Sequence, residues 1–236
     1  MLDDLLLEKF IHSFFGYGNY EADYWFVGME EGGGGTLEEI SSRLGTWDSR
    51  AGQELEDIRT YQEVLQLDRF FKDPVVLQPT WKQLIRIFLA ASGLSADIEA
   101  IKSFQKEKLG RQGGNTCLVE LMPLPSPGTS RWFYSKWSRL PYLRTRDAYK
   151  AAILPMRLNH LKSRIKEYRP RYVVFYGKGY WTSWEKITGT KITTVQPYGF
   201  GMCRTDVTQF LVTQHPAARG ARNEYFIAAG KLLNRV

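Results

Sequence analysis

A short apolar run, Tyr24-Trp25-Phe26-Val27-Gly28, leads into Met29-Glu30-Glu31 and then into four consecutive glycines, Gly32–Gly35. Aromatic and β-branched residues bounded by glycine read as a buried strand. Three further runs have the same character: Thr116-Cys117-Leu118-Val119-Glu120-Leu121-Met122, Tyr172-Val173-Val174-Phe175-Tyr176 and Phe210-Leu211-Val212-Thr213. Ile192–Val195 is a possible short strand. Strands apolar along their whole length are covered on both faces, which is the condition of a parallel sheet between helices. The expected fold is α/β: a three-layer α/β/α sandwich with a central, mostly parallel four-stranded sheet, in one domain spanning residues 1–236.

The intervening segments carry helical spacing. Helices are expected over residues 2–15, in one or two pieces over 36–70 with a break near Gly45-Thr46-Trp47, from an N-cap at Thr80 to Gly93, and over about 96–108. Two more are expected over 147–169, kinked or restarted at Pro155, and over about 222–234. No internal repeat or low-complexity linker is evident.

A hydrophobic content of 43% in 236 residues is enough for a full core, and a net charge of +7 favours an anionic partner such as nucleic acid. Two cysteines, Cys117 and Cys203, are too few for an all-cysteine cluster or zinc site, and read as core residues. The N-terminus, Met1-Leu2-Asp3-Asp4, lacks the basic region of a signal peptide, and no apolar run has the length to span a membrane. An intracellular (cytoplasmic) monomer with no membrane partner, metal or cofactor is expected.

Function in open α/β sheets collects beyond the carboxyl ends of the strands. The first strand offers Gly28-Met29-Glu30-Glu31-Gly32 there, the third Gly177-Lys178-Gly179, and the last Gln214-His215-Pro216-Ala217-Ala218-Arg219-Gly220. The second strand begins at Asn115 and ends in Pro123-Leu124-Pro125.

This arrangement resembles the uracil-DNA glycosylase superfamily. Gly28-Met29-Glu30-Glu31-Gly32 is similar to the family's first motif, and His215-Pro216-Ala217-Ala218-Arg219-Gly220 to its His-Pro motif. Asn115 resembles the base-reading asparagine, and Val173–Lys178 the third strand and its glycine. The resemblance runs from about residue 20 to the C-terminus but rests on four short segments, and residues 36–110 have no counterpart. Glu31 stands where proline is usual and Ala217 where serine is usual.

The resemblance implies a DNA glycosylase that flips out a uracil-type or deaminated base and hydrolyses its N-glycosidic bond. It implies Glu30 and His215 as catalytic residues: a carboxylate beside the developing oxocarbenium-like sugar, and a donor to the departing base. Gly28, Met29, Glu31, Gly32 and Asn115 would line the base site, with Trp47 or Phe133 as the stacking ring. Arg131, Arg139, Pro216, Arg219 and Arg222 would contact single- or double-stranded DNA. The segment from Pro127 to Arg146 interleaves cations and aromatics, as a strand-gripping loop requires.

Each assignment has a plainer alternative. Asn115 follows two glycines and suits a turn. His215 suits a helix start. Glu31 competes with Glu30. The aromatics of 127–146 suit a core. A glycosylase-like fold that binds nucleic acid or a nucleotide without cleaving it is the competing function. A phosphate loop is disfavoured because no Gly-Lys-Ser/Thr follows the glycines.

Overall fold

In the computed structural model, which describes residues 1–128 and 130–234, the four apolar runs lie side by side as one parallel block. The strands are β1 (Gly16–Gly18), β2 (Tyr24–Gly28), β3 (Leu55–Glu56), β4 (Thr116–Glu120), β5 (Tyr172–Tyr176), β6 (Thr193–Val195), β7 (Phe200–Arg204) and β8 (Gln209–Thr213). They form one sheet in the order β3-β1-β4-β2-β5-β8-β7-β6. The block β4-β2-β5-β8 is parallel throughout. The fold is α/β with a mostly parallel sheet, but the sheet has eight strands, not the expected four. Each edge is extended: β1 runs antiparallel to β4 and parallel to β3, while β7 and β6 follow β8 as antiparallel neighbours.

The helices are α1 (Asp4–Ser13), α2 (Leu37–Ser49), α3 (Ile58–Val64), α4 (Pro79–Ala91), α5 (Ile98–Glu107), α6 (Tyr134–Trp137), α7 (Arg146–Tyr168), α8 (Trp181–Thr188) and α9 (Asn223–Asn234). Two of the expected helices differ, α7 does not restart at Pro155, and α6 and α8 were not expected. α2 runs straight through Gly45-Thr46-Trp47, because Leu44 and Trp47 both bury on the core side and hold the turn together. The N-cap of α4 lies two residues before Thr80: Gln78 is the cap, its side chain accepting from the Trp81 N–H, and Pro79 takes the first helical position, where its missing N–H costs nothing. α7 continues through Pro155. α4 and α9 pack so closely that a Cβ at Gly230 would collide with the Ile87 carbonyl.

The register sets one sheet face. Tyr17 pairs with Leu118, Phe26 with Leu118, Gly28 with Glu120, and Phe26 with Val174. Side chains two apart share a face, so Tyr17, Leu118, Glu120, Gly28 and Tyr176 look the same way. Glu120 and Tyr176 stand on the strands flanking Gly28. With no side chain there, they meet above it: the Tyr176 hydroxyl donates to Glu120 Oε1 at 2.5 Å. A Cβ on Gly28 would collide with both Tyr176 Oη and Glu120 Oε2.

Beneath the same strand end lies a fully buried cation, Arg157 of α7. Its Nε donates to the Leu121 carbonyl (2.9 Å), Nη2 to Glu120 (2.8 Å), and Nη1 to Phe14 (2.6 Å) and Ile11 (3.4 Å). Its plane lies 3.5 Å from the Phe15 ring centroid. Burial pushes its pKa down to about 10, still charged at neutral pH. Arg157→Leu would strand these carbonyls, and the expected loss in urea unfolding is at least about 3 kcal/mol. A loss below about 1 kcal/mol would mean that the carbonyls find other donors.

Candidate functional site

At the carboxyl ends of the parallel strands lies a cleft of about 450 Å³. Its floor is the sheet face carrying Tyr17, Leu118, Glu120 and Tyr176. Glu30, Glu31 and His215 stand at its sides. The outer wall comes from the segment without a counterpart in the glycosylase resemblance: Arg43 of α2, Phe70, and Trp81 at the start of α4.

The glycine run determines how the two first-strand carboxylates are used. Gly34 has φ of +70° and packs on the Pro125 carbonyl, a position that only glycine fills without strain. The loop then enters α2 through a Thr36 N-cap, with Thr36 Oγ1 accepting from the Glu39 N–H and Glu39 accepting from the Gly35 N–H. One helical turn on, Arg43 bonds back to Glu39 (3.3 Å) and across to Glu31 (2.9 Å). Arg43 is desolvated by burial, yet Glu31 and its other neighbours hold its pKa above the ordinary arginine value.

Glu30 is gripped from the other side. Arg146, the first residue of α7, places Nη1 at 2.5 and 2.8 Å from the two Glu30 oxygens. Its Nη2 donates to Ser126 Oγ and to the Gly128 and Arg131 carbonyls. One guanidinium thus fixes both Glu30 and the loop that opens the aromatic-basic segment.

Glu120 has no such cation. Burial raises its pKa to about 8, the nearby Glu31 and Glu30 push it the same way, and the Tyr176 hydroxyl and Arg157 oppose the rise. It is therefore a neutral acid at pH 7. Its Oε2 is sealed from solvent without a hydrogen-bond partner, as is the Tyr17 hydroxyl on the same floor. Of the four carboxyls of the cleft, three are paired with two arginines and one keeps its own proton.

His215 stands on the rim with its ring 5.7 Å from that of Tyr176. The Ala217 N–H donates to its Nδ1 at 3.1 Å, so in the neutral ring the proton sits on Nε2. Desolvation pulls its pKa below the usual histidine value, which favours that neutral form. His215 can therefore donate from Nε2 to a ligand oxygen.

The structure brings Glu30, Glu31, Gly32 and His215 to one cleft. It does not bring Asn115 there. Asn115 precedes β4, and its Oδ1 accepts from the Asp23 N–H before β2, at the amino end of the sheet. Five residues of strand separate it from Glu120, roughly 16 Å. The strand's polarity excludes Asn115 from the cleft and puts Glu120 at its lining.

Trp47 is likewise corrected as a stacking candidate. It is fully buried, its indole N–H donates to the Gln53 carbonyl at 2.7 Å, and it packs edge-on against Phe10. Phe133 stacks on Trp137 outside the cleft lining. Two rings on the cleft's outer wall, Phe70 and Trp81, are 5.4 Å apart and T-shaped. Met29 is buried, and its carbonyl accepts from the Met122 N–H, while Gly28 serves by leaving room.

Of the expected DNA-contacting residues, Arg131, Arg139, Arg219 and Arg222 are exposed and Pro216 is buried. Arg131 is tied to the cleft through Arg146, and Arg219 lies four residues beyond His215. Arg139 sits instead at the start of α1, where its N–H donates to Asp4. In the segment from Pro127 to Arg146, Tyr134 and Leu143 are core residues, and Thr129 lies outside the described residues. Among the described residues no group of three or more His, Cys, Asp and Glu side chains could hold a metal ion, and no helix is long and apolar enough to cross a membrane. Both cysteines are free, Cys117 buried and Cys203 partly so.

No protein-family model matches the chain, and no curated protein matches it at a significant level of similarity.

The proton on Glu120 has a measurable consequence. Between the ordinary glutamate range and about pH 8 the folded protein holds a proton that the unfolded chain has released. Its contribution to stability is complete below the unfolded value and is lost as pH rises through that window, by up to about 1.4 kcal/mol per pH unit. Glu120→Gln should flatten this slope relative to the wild type in denaturant unfolding measured across the range. Parallel curves for the two proteins would mean that Glu120 is ionised in the fold.

Proposed function

We propose that the cleft is a nucleobase site, and that the protein is a DNA glycosylase-like hydrolase that excises a uracil-type or deaminated base flipped out of DNA. What carries this reading is the convergence of Glu30, His215 and the neutral Glu120 on one cleft beyond the carboxyl ends of the parallel strands. A neutral carboxylic acid offers a donor and an acceptor in one plane, as a side-chain amide does. Glu120 stands beside the cleft at the end of β4, with Oε1 bonded to Tyr176. The three-layer α/β/α sandwich belongs to the same reading.

In this account a base enters between the Phe70 and Trp81 rings and the sheet floor. Glu30, oriented by Arg146, lies toward the sugar and offsets the positive charge that develops as the N-glycosidic bond breaks. The bond's electrons pass to the base, whose oxygen accepts a hydrogen bond from His215 Nε2–H; water adds its hydroxyl to the sugar, and the proton it releases ends on the departed base. Pairing three of the cleft's carboxyls with two arginines, and keeping the fourth protonated, lowers the repulsion that an approaching polyanion meets. Exposed Arg131, Arg219 and Arg222 supply phosphate contacts.

One observation favours a second reading, base binding without cleavage. Both oxygens of Glu30 accept from Arg146 and Glu31 is paired with Arg43, so neither carboxylate is free to take a proton from water without losing a partner.

Oligonucleotides each bearing one lesion, followed by abasic-site cleavage, separate the two. Excision of at least one uracil-type or deaminated base is expected. Glu30→Gln should then keep DNA affinity but lose most of the rate, and His215→Ala should slow excision by about 10²–10³. Binding without any cutting selects the second reading.

DNA affinity should fall steeply with salt, and Arg131→Ala or Arg219→Ala should weaken binding to all sequences while lowering the salt slope by about one. Affinity unchanged between low and moderate salt in filter-binding assays would contradict nucleic-acid binding.

A further inference from the structure

The long helix α7 carries a second stripe that the cleft does not use. Ala151, Leu154, Pro155, Leu158 and Lys162 recur at intervals of three and four residues, so they share one helix face. Ile165, Lys166 and Arg169 continue it. Two hollows follow this face and meet at Lys162. The first, of about 500 Å³, lies over Leu154 and Pro155 and reaches Lys186 of α8. The second, of about 280 Å³, runs past Ile165 to the turn between β7 and β8, where Val207 is 41% exposed. That turn is at the amino end of β8, so the groove leads away from the carboxyl-end cleft and shares no lining residue with it. From Ala151 to Arg169 it measures about 27 Å along the helix.

The groove's charge is uncompensated. The ion pairs of α7 belong to Arg146, His160 and Arg164. Lys150, Lys162, Lys166 and Arg169, with Lys186 on α8, have no carboxylate partner among the described residues, and Asp206 is the one carboxylate there that lines either hollow. Five cations thus rim a floor of aliphatic side chains. Pro155 adds a backbone group. It has no N–H, so the Ala151 carbonyl one turn earlier lacks its helical donor, and both residues line the first hollow. A peptide can answer that carbonyl with an N–H, whereas the sugar–phosphate backbone of DNA has no donor. The one ring in the lining, Phe210, is buried, so no base can stack on it.

We propose that this groove docks an acidic, aliphatic-rich segment of a partner protein. Its carboxylates pair with the lysines of α7 and α8, and its aliphatic side chains cover Leu154, Pro155 and Val207. Charge alone would attract any polyanion, but the aliphatic floor and the free carbonyl suit a peptide and offer nothing further to a nucleic acid. The proposal does not depend on what the cleft binds. Because the two surfaces are separate, a docked partner leaves the cleft open.

The test displays random peptides of about 18 residues on phage, the length of a helix that spans the groove. The library is passed over the Lys162→Ser/Lys186→Ser protein, which removes peptides bound elsewhere, and is then captured on the wild type. Survivors should be rich in Asp or Glu and in aliphatic residues. In fluorescence anisotropy a selected peptide should bind Leu154→Ser or Val207→Ser about tenfold more weakly than the wild type. Its affinity should fall as salt is raised, and oligothymidine should not displace it. Lys162, Lys186 and Val207 are exposed, so these replacements should leave thermal unfolding near that of the wild type.

A selection that yields no peptide, or peptides without acidic and aliphatic enrichment, overturns the proposal. So does a selected peptide that binds Leu154→Ser and Val207→Ser as tightly as the wild type, since the floor then plays no part. Displacement of the peptide by oligothymidine, or a tenfold loss of oligothymidine affinity in Lys162→Ser/Lys186→Ser with no peptide selected, makes the groove a nucleic-acid surface instead.

Discussion

Arg157 is the contact on which the carboxyl end of the sheet depends. It is a fully buried guanidinium with no carboxylate bonded to it. A buried charge is tolerable only when its donors are satisfied, and here backbone carbonyls from two separate segments do so. Ile11 and Phe14 lie at the end of α1, and Glu120 and Leu121 at the end of β4. The long helix α7 thus locks two chain segments to each other at the point where β4 hands over to its loop. Eleven residues earlier the same helix begins with Arg146, which holds Glu30 and the 126–131 loop. One helix fixes the floor with one arginine and the wall with another.

The second constraint is charge. Four carboxyls converge on a cleft in a protein of net charge +7. Left ionised and unpaired they would repel one another and any phosphate. Arg43 answers Glu31 and Glu39, Arg146 answers Glu30, and Glu120 keeps its proton. These are not interchangeable devices. An arginine pair holds a carboxylate in place and leaves it an acceptor, while protonation converts a carboxylate into a donor. The cleft therefore has arginine-paired carboxylates at its sides and a neutral acid at its floor.

The central strands were legible because burial on both faces leaves an unbroken apolar run, as in Tyr172–Tyr176. Of the outer strands only β6 was, as the possible strand over Ile192–Val195. Gly16-Tyr17-Gly18 and Leu55-Glu56 are too short to carry a pattern, and exist because β4 and β1 present unpaired backbone beside them. Phe200–Arg204 mixes glycine, methionine and arginine because its far end is exposed. Glu30 and His215 were legible from their position just past apolar strands. The same signal marked Glu120, a charged residue ending a buried strand, but Asn115 was preferred although it heads that strand. Arg43, Arg146 and Trp81 carried no local signal. Their roles come from where helices deliver them, and Trp47, equally aromatic, was delivered to the core.

The most direct test of a base site in this cleft uses the protein's own tryptophans. Indole N–H resonances can be followed by NMR while a 2′-fluoro-uracil oligonucleotide is added. Trp81 lines the cleft, whereas Trp25, Trp47 and Trp184 are fully buried elsewhere in the core. The account predicts that the Trp81 resonance shifts in proportion to occupancy and that those three stay in place. Saturable binding with Trp81 unmoved would mean that the oligonucleotide is held on another surface, and the cleft would not be the base site.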